Sequence, residues 1–200
     1  MIDLYTRQQS IPLEYIPSAI IVGVGGTGSW VAIFLVMSGC ERISLFDDDA
    51  LEPSNFNRLP LSPQDCVGQK KVEAIQQLLR TLRPDCQVDT FGRANSFSLA
   101  TTEGQILFDC TDSQDTQTML SQWAESHKVR YIRVGYNGTH MTVTSHVSSW
   151  CVGAPQSGYT IIPSWVVPAA MAACFGVAKA MYHFPIEITH DISDLGVEVC

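Results

Sequence analysis

The sequence predicts an α/β fold with a doubly wound, mostly parallel sheet flanked by helices and with extra antiparallel strands toward the C-terminal side. Two observations support this prediction. Short apolar segments of strand length alternate with helical segments through residue 134, and that alternation is typical of parallel sheets. A glycine-rich turn, VGVGGTGSW at residues 22–30, also separates the first strand from the first helix, at the edge where such sheets bind ligands.

The first strand–helix–strand unit covers residues 19–46. Ala19–Val22 is a short apolar run of the kind found in central parallel strands. Ser29–Ser38 is apolar on nearly every side, which predicts a buried helix, and Gly39 is a typical residue to end it. Arg42–Phe46 is the next strand. This unit positions the glycine-rich turn between two buried elements.

The later elements follow from apolar spacing. A helix over residues 69–82 is predicted by apolar residues at helical intervals and by Pro84 after its end. The turn Asn137-Gly138 separates the last two predicted strands. The remaining predictions are strands over 87–91, 105–108, 130–134 and 141–146, and helices over 113–127 and 164–182.

The composition favours a single domain without a nucleic-acid or membrane partner. The chain has 200 residues, of which 46% are hydrophobic, so we expect one domain over 1–200, with a core of about 7–182 and a tail over 183–200. A formal net charge of -8 argues against a nucleic-acid surface. Residues 16–40 are uncharged but contain five glycines, so we interpret them as strand, turn and helix. No signal-peptide pattern opens the chain, and we expect a cytoplasmic protein.

The seven cysteines are distributed singly along the chain. Their number is odd and no C-x-x-C pair occurs, so a zinc site formed by neighbouring cysteines is not expected. We interpret them as free thiols in a reducing compartment.

Gly23, Gly25 and Gly28 stand in G-x-G-x-x-G register, with a fourth glycine at Gly26. Between a strand and a helix, such a turn lets backbone N–H groups approach a phosphate at the helix N-terminus. The turn predicts a nucleotide but not its identity, so a dinucleotide and ATP both remain open.

Three further motifs supply groups that suit a nucleotide. Asp47 follows the second strand, 19 residues after Gly28, where an acidic side chain binds ribose hydroxyls. Asn55 and Arg58 are three residues apart, which places an amide donor and a forked cation on one face of a helical turn. Lys71 lies in the first turn of a helix, where the dipole disfavours a cation, and it indicates a nearby anion.

The motif Asp109-Cys-Thr-Asp112 follows the fourth strand, at the ligand-binding edge of the predicted sheet. Asp112 is a candidate ligand for Mg²⁺ on the phosphates, because Mg²⁺ prefers one or two carboxylates together with phosphate oxygens. The alternative is that Asp112 or Ser113 caps the following helix.

Together these motifs resemble the pattern of the E1-like adenylating enzymes, the ThiF/MoeB/HesA proteins and the adenylation domains of ubiquitin-type E1 proteins. The pattern is G-x-G-G-x-G-S, D-x-D, N-x-x-R, G-Q-x-K and D-C-T-D, and the resemblance runs from about Arg7 to about Tyr182. It implies a Rossmann-like fold and an ATP-dependent adenylyltransferase. The implied substrate is the C-terminal carboxylate of a ubiquitin-like or sulfur-carrier protein, usually ending in Gly-Gly, which becomes an acyl-adenylate.

The resemblance also implies roles for single residues. Asp47 would hold the ribose, and Asn55, Arg58 and Lys71 would hold the triphosphate. Asp112 would bind Mg²⁺, and Arg7 would reach the ATP of the neighbouring subunit in a homodimer. These roles suit a reaction that depends on charge neutralisation and in-line positioning. We further expect Gly26 to keep side chains away from the α-phosphate, where the partner's C-terminus enters.

The chain departs from its relatives in its cysteines. It lacks the two C-x-x-C pairs that hold zinc in many relatives, so no zinc is expected. In compact relatives a thioester-forming cysteine lies five residues before a proline that precedes the last helix; if Pro168 is that proline, the position is Pro163. Cys151 is the remaining candidate, and the alternative is an ordinary semi-buried thiol.

Two other functions remain open from the sequence. One is an E1-like binding module that has lost catalysis and only docks a partner. The other is an NAD(P)-dependent oxidoreductase, although no evident acid or base for hydride transfer stands at a strand end.

Overall fold

The computed structural model describes residues 4–147, 163–182, 185 and 187–191. Within these ranges the strands are β1 (Ser18–Val22), β2 (Arg42–Phe46), β3 (Gln87–Phe91), β4 (Ile106–Asp109), β5 (Arg130–Asn137), β6 (His140–Thr144) and β7 (Ile188–Asp191). The α-helices are α1 (Gly26–Met37), α2 (Pro63–Cys66), α3 (Lys71–Leu82), α4 (Ser96–Leu99), α5 (Gln114–His127) and α6 (Val166–Met181). Two short 3-10 helices cover Thr6–Gln8 and Pro53–Asn55.

The strands form one sheet in the order β3-β2-β1-β4-β5-β6-β7. The pairs from β3 to β5 are parallel, and the pairs β5–β6 and β6–β7 are antiparallel. This arrangement confirms the predicted fold class. The chain winds outward in both directions from β1 and β4, which is the point where doubly wound sheets bind ligands.

Both faces of the sheet are covered by helices. Along β1, Ala19 and Ile21 pack into the cluster formed with α1, α3 and α6. Ile20 and Val22 point the other way and pack against α4 and α5. Because a strand that is buried on both faces needs apolar residues at every position, the continuous apolar run of β1 follows from this layering.

The helix α1 is apolar nearly all round because it lies against the sheet and is covered by α6 and α3. On α6, Gly176 permits a close approach to β5, since a Cβ at this position would lie 2.7 Å from Val134 Cγ2. The last helix is thus held tightly against the strand that carries one wall of the site.

Two features at the C-terminal side differ from the expected elements. The hairpin strands β5 and β6 extend to Asn137 and His140, so they are joined by the tight turn at Gly138, whose φ is +57°. The strand β7 lies within the segment that we expected to be a tail, and its four residues are too few to give a clear alternating pattern. In the described ranges no helix has the length and apolarity needed to cross a membrane, and the uncharged stretch over 16–40 forms β1 and α1 as predicted.

Candidate functional site

A cavity of about 660 Å³ opens at the carboxyl edge of the sheet. The ends of β1, β2, β4 and β5 form its floor, and the loops that follow them form its walls. Several of the residues singled out from the sequence line this one cavity: Gly23, Gly25, Gly26, Asp47, Arg58, Lys71 and Asp112. The topology therefore brings together motifs that are up to 89 residues apart in the chain (Gly23 to Asp112).

The glycine turn depends on two of its glycines for its shape. Gly23 has φ +85°, and a Cβ there would lie 2.8 Å from the carbonyl oxygen of Cys110. A Cβ at Gly28 would lie 1.9 Å from the carbonyl oxygen of Gly23. Gly25 is the N-cap of α1 and supplies no side-chain cap. The helix therefore starts at the cavity with backbone N–H donors that no N-cap side chain occupies, which suits an anion.

Asp47 connects the end of β2 to the glycine turn. Its Oδ2 accepts a hydrogen bond from the Val24 backbone N at 2.7 Å, and its Oδ1 accepts one from the Asp49 backbone N at 2.9 Å. Desolvation raises the pKa of this carboxyl group, while the Lys71 charge and the two N–H donors act to lower it. An anionic acceptor is thus held at the cavity wall beside the turn.

Arg58 is fixed by its own loop. Its Nη1 donates to the Ser54 carbonyl oxygen at 2.7 Å and to Asn57 Oδ1 at 3.0 Å. Trp30 Nε1 in turn donates to the Arg58 carbonyl oxygen at 3.0 Å, which attaches the loop to α1. The guanidinium is positioned at the cavity by one backbone and one side-chain acceptor of its own loop.

Gly26 makes room for two side chains. A Cβ at Gly26 would lie 2.9 Å from the Tyr136 hydroxyl oxygen and 3.0 Å from Arg58 Cδ. The absence of a side chain at Gly26 thus lets Arg58 and Tyr136 close over the turn. Gly26 is therefore needed for the packing of these two side chains. Our expectation that it also leaves space for a reacting partner stays a prediction.

Lys71 is the first residue of α3 and has a protein anion next to it, while its predicted role toward a triphosphate stays a prediction. That anion is Asp49, whose Oδ2 lies 2.6 Å from Lys71 Nζ. The side chain of Lys71 is only 13% exposed and lines the cavity. Asp47, Asp48 and Asp49 form a group of potential metal ligands, but Asp47 and Asp49 already have the partners described above.

Asn55 and Arg7 do not line the cavity in the described part of the chain. Asn55 is buried, and its Oδ1 accepts a hydrogen bond from the Glu52 backbone N at 3.2 Å, so its side chain caps the short 3-10 helix. Arg7 lies on the exposed helix Thr6–Gln8. Their predicted roles stay predictions.

Asp112 projects at the start of α5. Ser113 is the N-cap of this helix, because its Oγ accepts a hydrogen bond from the Thr116 backbone N. Asp112 is exposed at the cavity and has no hydrogen-bond or ion-pair partner among the described residues. A carboxylate without a protein partner fits a magnesium ligand that shares the ion with phosphate oxygens and water.

The preceding Asp109 has a structural position. It is fully buried, and its carboxylate accepts hydrogen bonds from the Tyr131 hydroxyl at 2.6 Å and from the backbone N and Oγ1 of Thr111. Burial, together with the charge of Asp109, raises the pKa of the Cys110 thiol above its ordinary value. Cys110 is therefore a poor nucleophile although it lines the cavity. Cys151 lies outside the described residues.

Sequence reasoning missed several side chains in the cavity wall, among them Arg93, Arg133 and Tyr136. The Arg133 side chain is almost fully buried, with 1% of the residue exposed. Tyr136 is also affected by burial, which is the main reason that the pKa of its hydroxyl is raised. The sequence around Arg133 and Tyr136 reads as an ordinary strand, and Arg93 lies in the loop after β3. The signal that could have found Arg133 is its charge inside the otherwise apolar run Tyr131–Val134.

Comparison with known proteins shows the family of the chain. The ThiF family profile matches residues 15–172. The chain is similar to tRNA threonylcarbamoyladenosine dehydratase 2 of Saccharomyces cerevisiae, with 33% identity over 119 residues, covering 56% of this chain and 27% of that protein. It is also similar to the adenylyltransferase and sulfurtransferase MOCS3 of Drosophila sechellia, with 35% identity over 108 residues, covering 52% and 24%. The chain thus spans about a quarter of the length of these relatives.

Solved structures agree with the fold. The microcin C7 biosynthetic enzyme MccB in complex with N-formylated MccA has a TM-score of 0.71 at 21% identity, covering 82% of this chain and 55% of that one. The Escherichia coli dehydratase TcdA has a TM-score of 0.58 at 26% identity, covering 62% and 52%. Because the family profile covers most of its length and the predicted motifs meet at one cavity, the chain belongs to the ThiF family of E1-like proteins.

Proposed function

We propose that this chain is an ATP-dependent adenylyltransferase that activates the C-terminal carboxylate of a ubiquitin-like or sulfur-carrier protein. The observation that carries the proposal is the hydrogen bond between Asp47 and the Val24 backbone N. It fixes an acceptor suited to ribose beside the donors suited to phosphates, and Asp112 lines the same cavity from the segment between β4 and α5.

The relatives support the same activity. The relative from Drosophila sechellia is named an adenylyltransferase and sulfurtransferase, and MccB has been solved with ATP. Because the chain matches only part of each relative, the reaction and the substrate are our proposals for this chain. Three further predictions belong to the same proposal. They are that Cys151 takes part in catalysis, that the protein is cytoplasmic, and that it forms a homodimer in which Arg7 acts across subunits.

The reaction is a nucleophilic substitution at phosphorus. One oxygen of the carrier's C-terminal carboxylate attacks the α-phosphorus of ATP, and the bond from that phosphorus to the bridging oxygen breaks. Pyrophosphate leaves with the bonding electrons, and an acyl-adenylate forms. No electron is transferred to or from the protein, and no acid or base is needed at neutral pH.

The residues of the cavity have separable tasks in this reaction. The glycine turn would bind phosphate oxygens through backbone N–H groups, and Asp47 would accept hydrogen bonds from the ribose. Arg58 and Lys71 would offset the charge of the triphosphate and of the approaching carboxylate. Mg²⁺ held by Asp112 would neutralise further phosphate charge when bound.

The test is ATP–pyrophosphate exchange with candidate carrier proteins that end in Gly-Gly. We expect Arg58→Ala and Asp112→Ala to lower the exchange rate by about a hundredfold or more, the scale for losing one charge-stabilising group. Arg42→Ala and Asp115→Ala are matched controls. Arg42 lies at the start of β2, at the end of the strand away from the cavity, and pairs with Glu103. Asp115 is exposed on α5. Exchange that survives both site substitutions would contradict the proposed site.

A second candidate substrate is suggested by the dehydratases among the relatives, which are named for tRNA threonylcarbamoyladenosine. The net charge of -8 disfavours an RNA-bound substrate. Exchange activity that requires tRNA instead of a carrier protein would favour this candidate.

Two other outcomes would favour the remaining alternatives. Mg·ATP binding without exchange with any carrier or tRNA would favour the silent binding module, and NADH binding without ATP binding would favour an oxidoreductase.

A further inference from the structure

Arg133 is a buried cation in the wall of the cavity. It lies on β5 in register with Asp109 of β4, and its side chain is on the face that carries Tyr131 and packs toward α5. The residue is 1% exposed, yet it lines the cavity. Most arginines keep the guanidinium in water, so a guanidinium in this position requires an explanation.

Its hydrogen bonds leave the charge without an anionic partner. Arg133 Nη1 donates to the carbonyl oxygens of Asp109 at 3.0 Å and Val134 at 2.8 Å, and both acceptors are neutral. Its Nε is buried with no partner. The Asp109 carboxylate instead accepts from Tyr131 and Thr111. Among the described residues no carboxylate lies within ion-pair distance of Arg133.

The fold makes room for this guanidinium. A Cβ at Gly135 would lie 2.8 Å from Arg133 Nη2 and 3.1 Å from Cζ. Gly135 also lines the cavity, two residues further along the same strand. A buried cation without an anion is costly unless a ligand supplies the missing acceptor. The space at Gly135 is filled by the guanidinium itself, and the unpartnered Nε of a side chain that lines the cavity points to a ligand there.

The position on the sheet indicates which ligand group this is. In sheet order β2-β1-β4-β5, the cavity presents Asp47, then the glycine turn, then Asp112, then Arg133 with Tyr136. Under the proposed function, the first three would serve ribose, phosphates and metal. The β5 side is left for the molecule that attacks the α-phosphate, which is an anionic carboxylate.

We propose that Arg133 binds the carboxyl group of the acyl substrate through the oxygen that does not attack phosphorus. This inference rests on the proposed function. The other carboxylate oxygen forms the bond to the α-phosphorus, and pyrophosphate leaves. The oxygen on Arg133 becomes the carbonyl oxygen of the acyl-adenylate, so one hydrogen bond serves both states without proton transfer. The cation also offsets the repulsion between carboxylate and triphosphate.

The test compares two ligands that share the nucleoside and differ in the acyl group. The acyl probe is glycylglycyl-sulfamoyladenosine, a non-hydrolysable analogue of the acyl-adenylate, and the nucleotide probe is Mg·ATP. We expect Arg133→Met to weaken calorimetric binding of the acyl probe at least tenfold and to change ATP binding less than twofold. Arg133→Lys, which keeps the charge but loses the fork, is expected to fall between Arg133→Met and the wild type.

Tyr131→Phe is the matched control, because it removes a buried hydrogen bond to Asp109 from a residue that does not line the cavity. It should leave the affinity for both probes within twofold. Equal loss of both ligands in Arg133→Met would overturn the inference by assigning Arg133 to the nucleotide. Unchanged binding of both would overturn it by leaving Arg133 a structural role.

A second variant keeps the inference testable if Arg133→Met does not fold. Gly135→Ala should displace the Arg133 guanidinium, weaken binding of the acyl probe several-fold and leave binding of ATP unchanged. Binding of the acyl probe with wild-type affinity in Gly135→Ala would overturn the inference. In a folded Arg133→Met background the same alanine should add little. Wild-type protein that binds neither probe would overturn the proposed function together with this inference, whereas wild-type binding that Arg133→Met leaves intact overturns this inference alone.

Discussion

The Val24 backbone N donates a 2.7 Å hydrogen bond to Asp47 Oδ2, which joins the glycine turn after β1 to the end of β2. The two strands are parallel neighbours, with Val22 in register with Phe46. The Asp47 carboxylate therefore lies directly beyond the end of the sheet. The glycine turn cannot move away from this carboxylate without losing the hydrogen bond. One contact sets the spacing between an acceptor suited to ribose and the donors suited to phosphates.

The first prediction concerns the pH dependence that Asp47 imposes. Desolvation raises its pKa above the ordinary value of 3.8, so the folded protein keeps the proton to a higher pH than the unfolded chain does. Its own contribution to the free energy of unfolding therefore increases as pH falls from above the folded pKa to below 3.8. Ribose binding has the opposite sign, because the ionised carboxylate is the better acceptor.

We therefore expect wild-type affinity for ATP to fall as pH decreases through the folded pKa of Asp47. Asp47→Asn should bind ATP about tenfold more weakly at neutral pH, the scale for one hydrogen bond to a charged group, and should lose most of this pH dependence. Calorimetric titration across the acid range checks both effects. An asparagine variant with the wild-type pH profile would show that another group is responsible.

The second prediction concerns Gly28, where a Cβ would lie 1.9 Å from the Gly23 carbonyl oxygen. The Gly23 backbone cannot give way easily, so Gly28→Ala should lower the free energy of unfolding by about 3 kcal/mol or more. Denaturant unfolding measures this loss. Gly92→Ala is the control, because a Cβ there meets nothing within 4 Å and its φ is not positive. Equal stability of the two variants would contradict the geometry of the turn.

The sequence was sufficient to predict the fold and several of the residues that line the cavity. Buried parallel strands such as β1 are apolar throughout and leave a clear pattern in the sequence. Asp47 and Asp112 follow predicted strands, so their position at the ligand-binding edge could be predicted. Arg133 and Tyr136 escaped prediction because their importance comes from β5 lying beside β4, a pairing that local spacing does not encode. The strand β7 is held by its pairing with β6 and by Glu187, which accepts hydrogen bonds from Lys179 and Ser145.

The third prediction concerns Gly26. A side chain there would meet the Tyr136 hydroxyl at 2.9 Å and Arg58 Cδ at 3.0 Å, so Gly26→Val should displace the Arg58 guanidinium and lower pyrophosphate exchange about tenfold or more. Tyr136→Phe removes the hydroxyl and should restore part of the stability lost in Gly26→Val. Thermal unfolding and exchange assays of the single and double variants check this. Full exchange activity in Gly26→Val would refute both the packing reason and the proposed space for the substrate.

The last prediction separates the homodimer from the rest of the proposal. Arg7 is exposed and lies outside the cavity lining of the described chain, so its predicted contact with ATP requires a second copy. Arg7→Ala and Asp112→Ala should each be inactive alone. In a mixed dimer, one of the two sites combines the intact Asp112 of one chain with the intact Arg7 of the other.

Mixed dimers, purified with two different affinity tags, should therefore recover about half of the wild-type exchange rate per dimer. The control is a mixture of Asp112→Ala with the double variant that carries both substitutions, in which no site is complete. Activity equal to that control in a verified mixed dimer would contradict the action of Arg7 across subunits. Because Arg58, Lys71 and Asp112 come from a single chain in the cavity described above, that result would leave their proposed roles intact.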